Sequence, residues 1–152
     1  GEQACAMMCM SGDVDVVFSE DLDVLPFGGN LLTGYTPLSR SKPLLHYNLS
    51  SVLSGMKMTR QQFVQYCILC GCDFCPSIRG VGMVNAYNLL RKHSSIENIL
   101  TFTRFKPEPG FVDRYASAAS VFMNTSTDAS VPCGAHDVCT PTTTAPAPAH
   151  AS

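Results

Sequence analysis

The first 39 residues contain neither lysine nor arginine, and all 10 basic residues lie between Arg40 and Arg114. The formal net charge is −2, so the chain lacks the overall positive charge common among nucleic-acid-binding proteins. Any contact with nucleic acid must therefore come from a local patch. The same 39 residues hold half of the 12 acidic residues, namely Glu2, Asp13, Asp15, Glu20, Asp21 and Asp23. An acidic part beside a modestly basic part fits a metal site next to a phosphate-binding surface, and it equally fits ordinary surface charge.

Two features of exported and membrane proteins are also missing. Residues 1–11 include Glu2 and no basic residue, unlike the start of a secretory signal peptide. No apolar run reaches the ~20 residues that a membrane-spanning helix needs. A chain of 152 residues with 45% hydrophobic residues can bury a sizeable core, as one domain or a piece of one. We expect no membrane association and a reducing, cytosolic or nuclear setting.

Four of the 8 cysteines, Cys67, Cys70, Cys72 and Cys75, form the pattern C-x2-C-x-C-x2-C. Its one-residue centre is shorter than the roughly 12–20 residues that separate the two halves of common zinc modules. Cys67 and Cys70 also belong to an apolar helical run, where cysteine acts as a small hydrophobic residue. The pattern favours structural thiols, with a zinc module as the alternative.

Hydrophobic periodicity and capping residues predict helices and short strands. We expect the chain to open with the end of a helix, with Gly12 as its C-cap, and we expect this helix to begin before residue 1. Predicted strands cover 13–18, the region of Leu31 and Leu32, and 44–48. Predicted helices cover 49–55, the apolar run 63–72 behind a Thr59 cap, 84–93, a segment capped by Ser94 or Ser95, and 111–123. This order predicts an α/β domain with a mainly parallel sheet, whose functional side chains gather at the carboxyl ends of strands.

The predicted organisation has three parts. Residues 1–60 form the α/β part, and residues 61–123 form a helical region. Residues 124–152 are dominated by Ser, Thr, Ala and Pro. Such a segment cannot bury enough apolar surface to offset its ordering entropy, so we expect a disordered tail.

Acidic residues from separate elements suggest a metal site. Asp21 and Asp23 lie on the turn after the first predicted strand, Asp73 follows the apolar helix, and Glu2 lies on the helix before the strand. Convergent carboxylates bind hard cations such as Mg2+, and two ions ~4 Å apart can activate a water for attack on a phosphodiester. For residues 19–23 alone, the alternative is a solvated turn with a helix cap.

A glycine turn, Gly80-Val81-Gly82, separates the apolar helix from a helix that ends in basic residues. Glycines let main-chain N–H groups approach a phosphate oxygen, and the following helix N-terminus adds partial positive charge. A short Gly-x-Gly is common in turns, so its weight depends on the residues around it.

Those surrounding residues are far more specific. The run GCDFCPSIRGVG, followed by a basic helix and HSSIENIL, resembles the helix–two-turn–helix region of the flap endonuclease, exonuclease 1 and XPG family of structure-specific 5′ nucleases. VVFSEDLDVLPFGG resembles a strand and acidic turn of the same family, in the family's order and spacing. The resemblance covers about residues 2–129, the C-terminal half of the family's nuclease core. It implies a PIN-like (Rossmann-like) fold followed by helix–two-turn–helix.

The resemblance also implies a metal site made of the matching acids. Glu2, Asp21, Asp23 and Asp73 would be the catalytic residues and would hold two Mg2+ ions, with Mn2+ as a possible substitute. Glu20 would be a neighbouring or solvated residue rather than a ligand.

Nucleic-acid contacts would lie around the glycine turn. The carbonyl groups of Ser77 and Val81 would bind a K+ ion that bridges to a DNA phosphate. Direct contacts with the DNA backbone would come from Arg79, Gly80, Gly82, Arg91 and Lys92. For the last two residues a solvated helix face is an equal alternative.

The implied function is cleavage of DNA with 5′ ends, flaps or junctions during replication or repair in the nucleus, by a monomer. The sliding-clamp motif of flap endonucleases, Q-x-x-[LIM]-x-x-aromatic-aromatic, is not seen. The family's N-terminal half, which supplies further metal ligands, is not in the sequence either, so we expect this chain alone to be inactive or nearly so. The alternatives are a non-catalytic DNA-binding remnant and the zinc module.

Overall fold

The computed structural model describes residues 1–34 and 43–124. The N-terminal part contains α1 (Glu2–Ser11), β1 (Val17–Phe18), α2 (Val24–Phe27), β2 (Leu31–Thr33) and β3 (Leu45–Tyr47). It is followed by α3 (Leu49–Met56), α4 (Arg60–Cys70), α5 (Met83–His93), α6 (Ile96–Phe102) and α7 (Phe111–Met123). Residues 125–152 of the predicted tail, and residues 35–42 of the segment between β2 and β3, lie outside the described ranges. Within those ranges, no helix is long and apolar enough to cross a membrane.

The strands form one mixed sheet in the order β1-β2-β3. β1 and β2 are parallel, with Val17 opposite Leu31, whereas β2 and β3 are antiparallel, with Leu32 opposite His46. The prediction of a mainly parallel sheet is therefore wrong for the described residues. A parallel pair needs a crossover of about a dozen or more residues, usually helical. The connection from β1 to β2 contains α2, but the sequence between β2 and β3 carries no helical pattern.

The first strand is shorter than predicted because its expected beginning closes α1 instead. Gly12 ends α1 in the left-handed conformation, with φ at 83°. The N–H groups of Asp13 and Val14 both donate to the carbonyl oxygen of Met8, at 3.0 and 3.2 Å. Sheet pairing therefore begins only at Val17.

Side-chain caps fix the starts of α4 and α6, as the sequence predicts. Thr59 and Gln62 form the capping box at the start of α4. Ser95, rather than Ser94, caps α6 by accepting from the N–H of Asn98 at 3.3 Å. Ser94 instead ends α5 in the left-handed conformation, with φ at 68°.

Helix α4 joins the sheet to the helical region. Its Phe63 packs in a cluster with Val17 and Leu31 of the strands. Ile68 and Leu69, on the same helix, are 0% exposed in a larger cluster built mainly from α4 to α7. Both predicted parts of the chain therefore pack against the same helix. Burial of each of these apolar side chains contributes about 1.5–3 kcal/mol to the stability of the fold.

Two turns connect α4 to α5, in the predicted order of helix, two turns and helix. In the first turn, Cys72 and Cys75 exchange backbone hydrogen bonds of 3.2 Å each, which places Asp73 at the tip. In the second turn, the N–H of Val81 donates to the carbonyl oxygen of Ile78 at 2.9 Å.

A polar network of the buried Gln65 and Tyr115 with the exposed Glu97 ties α4, α6 and α7 together. The Tyr115 hydroxyl donates to the Glu97 carboxylate at 2.8 Å and accepts from the Gln65 amide at 2.9 Å. Gln65, which is 4% exposed, also accepts from the N–H of Ile96 at 3.2 Å. Burial acts to raise the pKa of Glu97, but hydrogen bonds from its own N–H, Tyr115 and Ser95 outweigh burial, and its pKa is lowered.

Tyr115→Phe is expected to destabilise the chain by about 1–3 kcal/mol because it leaves the buried Gln65 amide without its acceptor. Urea denaturation at neutral pH measures this loss. Because the folded-state pKa of Glu97 lies below its ordinary value of 4.5, the contribution of Glu97 is present above pH 4.5 and fades as pH falls through the folded-state pKa. The difference between variant and wild type should therefore shrink in acid. Tyr47→Phe is the control, and equal stability of Tyr115→Phe and wild type would contradict the network's role.

Candidate functional site

The acidic turn after β1, residues 19–23, is held by hydrogen bonds between its own side chains and main chain. The Ser19 hydroxyl accepts from the N–H of Asp21 at 3.0 Å, and the Asp21 carboxylate accepts from the N–H of Asp23 at 2.9 Å. Asp23 stands at the N-cap of α2, yet its side chain makes no capping hydrogen bond. The Asp23 carboxylate is therefore not used as the helix cap that the alternative reading of this turn requires.

Glu20 has a structural role that sequence reasoning missed. Its carboxylate accepts from the Thr33 hydroxyl at 2.9 Å and from the N–H of Gly34 at 3.1 Å. These bonds fasten the acidic turn to the end of β2. The interpretation of Glu20 as a merely neighbouring or solvated residue is thus incomplete. No local pattern signals this role, because Glu20 and Thr33 meet only through the pairing of β1 with β2.

The structure brings the predicted acids to one region. The pKa of Asp23 is raised, first by burial of its carboxyl group and then by the negative charges of Asp21, Asp73 and Glu2. Residues from α1, from the acidic turn and from the tip after α4 therefore act on the same carboxylate. In the described part of the chain, however, no group of three or more His, Cys, Asp or Glu side chains is arranged to hold a metal ion. The acids share an electrostatic region without forming a closed coordination shell.

The thiols of the cysteine pattern lie beside this region. Burial, together with the charges of Cys70, Asp23 and Cys72, raises the pKa of Cys67 to about 12. Burial likewise raises the pKa of Cys70, Cys72 and Cys75. A zinc ligand must be a thiolate, and these surroundings favour the protonated thiol. The described cysteines form no disulfide, and among the described residues they belong to no group of three or more side chains arranged to hold a metal ion.

The two glycines of the predicted phosphate-binding turn differ in what they require. Gly80 has a φ of 86°, in the left-handed region that favours glycine, and its carbonyl oxygen accepts from the Asn85 amide at 3.1 Å. Gly82 has a φ of −89°, which any residue adopts, and a Cβ there would meet nothing within 4 Å. Backbone strain therefore explains only Gly80. Gly82 instead leaves the start of α5 open to close approach.

The predicted basic contacts separate into two kinds. Arg91 donates to the carbonyl oxygen of Lys57 at 2.8 Å, so its guanidinium helps to cap the end of α3. Arg79 and Lys92 are exposed. Among the described residues, no backbone N–H donates to the carbonyl oxygen of Ser77 or Val81, the two groups expected to face a K+ ion. Arg79 and Lys92 are therefore available for phosphate contact, whereas Arg91 already has a structural role.

Asp23→Asn is expected to raise the melting temperature at neutral pH in the presence of a chelator. The folded-state pKa of Asp23 lies above its ordinary value of 3.8, so its ionised form costs stability above the folded-state pKa, and this cost vanishes as pH falls below 3.8. The difference in melting temperature between Asp23→Asn and the wild type should therefore vanish in strong acid. Mg2+ should reduce this difference, because the ion stabilises the wild type. Thermal melts test this, with the exposed Asp15→Asn as control. A lower melting temperature for Asp23→Asn in chelator would contradict charge repulsion at the site.

Comparisons with known proteins connect this geometry to a family. Residues 1–73 match the family described as the XPG I-region. Flap endonuclease 1 of Enterocytozoon bieneusi is 40% identical over 131 residues, which cover 85% of this chain and 36% of that protein. Flap endonuclease 1 of Ostreococcus lucimarinus is 42% identical over 127 residues, which cover 81% of this chain and 32% of that protein. The chain spans about a third of the length of these curated relatives.

Solved structures share the fold. Flap endonuclease-1 from Methanococcus jannaschii has a TM-score of 0.62 at 25% identity, over 80% of this chain and 36% of that one. The catalytic core of Rad2 in complex with a DNA substrate has a TM-score of 0.68 at 18% identity, over 84% of this chain and 48% of that one. The second likeness concerns the fold alone. The small mixed sheet with its helices is thus part of an α/β nuclease fold.

Proposed function

Because the chain belongs to the flap endonuclease and XPG family of nucleases, we propose that it is the C-terminal half of the catalytic core of a metal-dependent, structure-specific 5′ nuclease acting on DNA. The observation that carries this proposal is the convergence of Asp21, Asp73 and Glu2 on Asp23, whose pKa is raised by burial and then by the charges of these three acids. Acids from three separate elements that repel one another in a partly buried region are poorly suited to structural stability alone. Such acids suit a site that binds cations.

The residues fit divalent ions by their chemistry. Carboxylate oxygens are the ligands of Mg2+ and Mn2+, and the accumulated negative charge favours a cation. Glu2, Asp21, Asp23 and Asp73 would hold the ions, and Glu20 would keep the acidic turn in place through Thr33 and Gly34. When bound, two such ions activate a water and stabilise the leaving oxygen of a phosphodiester.

DNA would be held next to the acids, because the first turn after α4 carries Asp73 and the second leads to the glycines. Arg79 and Lys92 would contact backbone phosphates, and the N–H groups of the exposed residues Gly80 and Gly82 would approach a phosphate oxygen. The Ser77 and Val81 carbonyl groups would bind a bridging K+ ion. Arg91 would act mainly by holding the end of α3.

The proposal extends to the setting of the protein. It would act on 5′ flaps, ends or junctions in nuclear DNA replication or repair, as a monomer, on a PIN-like core completed by an N-terminal half. The chain alone would be inactive or nearly so, because it spans about a third of its relatives. A non-catalytic DNA-binding remnant is the second candidate, favoured by the absence of a closed metal-binding group among the described residues.

A chimera tests the two candidates. This chain replaces the matching 131 residues of flap endonuclease 1 from Enterocytozoon bieneusi, and cleavage of a labelled 5′-flap substrate is measured with Mg2+. The nuclease proposal expects Mg2+-dependent cleavage by the chimera and none by the chain alone. A folded chimera that binds the substrate without cleaving it would support the remnant. Robust turnover by the chain alone would contradict its proposed dependence on an N-terminal half.

A further inference from the structure

A cleft of about 240 Å³ lies between the segment that follows the first turn, residues 76–79, and the connection from α6 to α7 together with the start of α7. Its polar lining comes from three separate parts of the fold. Ser77 and Arg79 come from the turn segment, Lys106 and Glu108 from the connection, and Arg114 from α7. Side chains so far apart in sequence meet only in the folded chain, so no single helix face accounts for the cleft.

The cleft concentrates positive charge in a chain whose net charge is −2. It has three cationic residues, Arg79, Lys106 and Arg114, against one acid, Glu108. Arg79 and Lys106 are exposed, so their charged groups can reach a ligand from solvent. This surplus of positive charge favours an anion.

Arg114 is the most constrained of these cations. Its Nη2 donates to the carbonyl oxygen of Pro109 at 3.3 Å. A Cβ at Gly110 would lie 3.3 Å from its Nη1, so the glycine leaves room for the guanidinium. Its Nε is buried and has no acceptor among the described residues. Because the Nε is shielded from solvent, an anion in the cleft would meet the Arg114 guanidinium at its outer nitrogens.

We propose that this cleft binds one backbone phosphate of duplex DNA, in addition to the contacts at the glycine turn. The proposal rests on the proposed function, because it adds a binding site on the same DNA. Arg79 links the two sites, since it lines the cleft and directly precedes Gly80. Glu108 lowers the positive charge of the cleft, which suits a singly charged phosphodiester better than a doubly charged free phosphate.

Salt dependence of duplex binding tests the proposal. The chain is titrated into a blunt, labelled duplex without 5′ phosphate, in chelator, over a series of salt concentrations. Lys106→Gln is expected to weaken binding about 5-fold and to reduce the slope of log affinity against log salt by about 0.9, the value for one lost phosphate contact. The matched control is Arg104→Gln, an exposed arginine two residues away that does not line the cleft.

A second pair of variants separates charge from folding. Arg114→Lys keeps the charge and should bind better than Arg114→Gln, with thermal melts to verify that both fold. Equal slopes for wild type, Lys106→Gln and Arg104→Gln would overturn the proposal. So would wild-type duplex affinity in Lys106→Gln together with loss of inorganic-phosphate binding by that variant, because the cleft would then take free phosphate and not the DNA backbone.

The test reads binding without metal, so its result is independent of cleavage. If the chimera failed to cleave while Lys106→Gln still lowered the salt slope, the proposed nuclease function would be contradicted. The proposed phosphate binding by the cleft would stand. If the chimera cleaved and Lys106→Gln had no effect on duplex binding, only the proposed phosphate binding by the cleft would be contradicted.

Discussion

Asp23→Asn and Asp73→Asn are each expected to lower flap cleavage by the chimera at least ~10³-fold, which corresponds to about 4 kcal/mol of transition-state stabilisation. The reason is that each variant removes a carboxylate oxygen from the region where Asp21, Asp73 and Glu2 act on Asp23. Single-turnover cleavage of a 5′-flap substrate, at saturating enzyme and with Mg2+, measures the chemical step separately from substrate binding.

The control for these variants is Asp15→Asn. Asp15 is an exposed acid of the same N-terminal part and is not among the groups that raise the pKa of Asp23. It should cleave at the wild-type rate. Glu20→Gln should cleave at a rate between those of Asp15→Asn and Asp23→Asn. The glutamine amide can keep only part of the hydrogen bonding of Glu20 with Thr33 and Gly34. If Asp73→Asn cleaved as fast as Asp15→Asn, the acid at the tip after α4 would have no place in the site.

Phe122→Ala is expected to destabilise the chain by about 3–5 kcal/mol, a large share of the roughly 5–15 kcal/mol that holds a typical domain together. The Phe122 side chain is 0% exposed. Its ring lies 4.8 Å from that of Phe27 in α2 and 5.5 Å from that of Phe74, measured between centroids. Truncation would therefore leave a cavity where α7, α2 and the turn that carries Asp73 meet. Urea denaturation measures the loss.

Val112→Ala is the matched control, because Val112 lies on the same helix and is 58% exposed. Its stability should change by less than about 0.5 kcal/mol. Phe122→Ala should also loosen the Asp73 turn, since Phe74 is the neighbour of Asp73 and packs against Phe122 in an edge-on contact. A loss below about 1 kcal/mol would contradict the view that the Phe122 ring is tightly packed between α2 and the turn that carries Asp73.

Local signals in the sequence predicted local structure well. The Thr59 capping box, the Ser95 cap and the left-handed Gly12 each depend on residues within one helical turn, and the structure has all three. The strand that follows Gly12 was harder to delimit, because Asp13 and Val14 satisfy the end of α1 rather than the sheet. Strand direction was wrong for a different reason: the sequence between β2 and β3 carries no helical pattern, and the prediction of a mainly parallel sheet did not take this into account.

The motifs in the sequence predict which acids belong to the candidate site, and this assignment stays a prediction; they do not predict the contacts around those acids. The motifs around Asp21, Asp23 and Asp73 named the acids, and the structure brings their charges together. The bonds of Glu20 to Thr33 and of Arg91 to Lys57 depend on packing between elements far apart in sequence. Lys106 and Arg114 lie in a connection and a helix with no recognisable motif, so only the folded chain places them beside Arg79.

Mn2+ titration followed by NMR tests the central claim, that Glu2, Asp21, Asp23 and Asp73 share one divalent-ion site. Bound Mn2+ broadens the amide resonances of residues close to it. We expect the amides of all four residues to broaden together at the same Mn2+ concentration in the wild type, and we expect Asp23→Asn to move this broadening to at least ~10-fold higher concentration. Broadening confined to residues 21–23, with the amide of Asp73 unaffected, would contradict this claim.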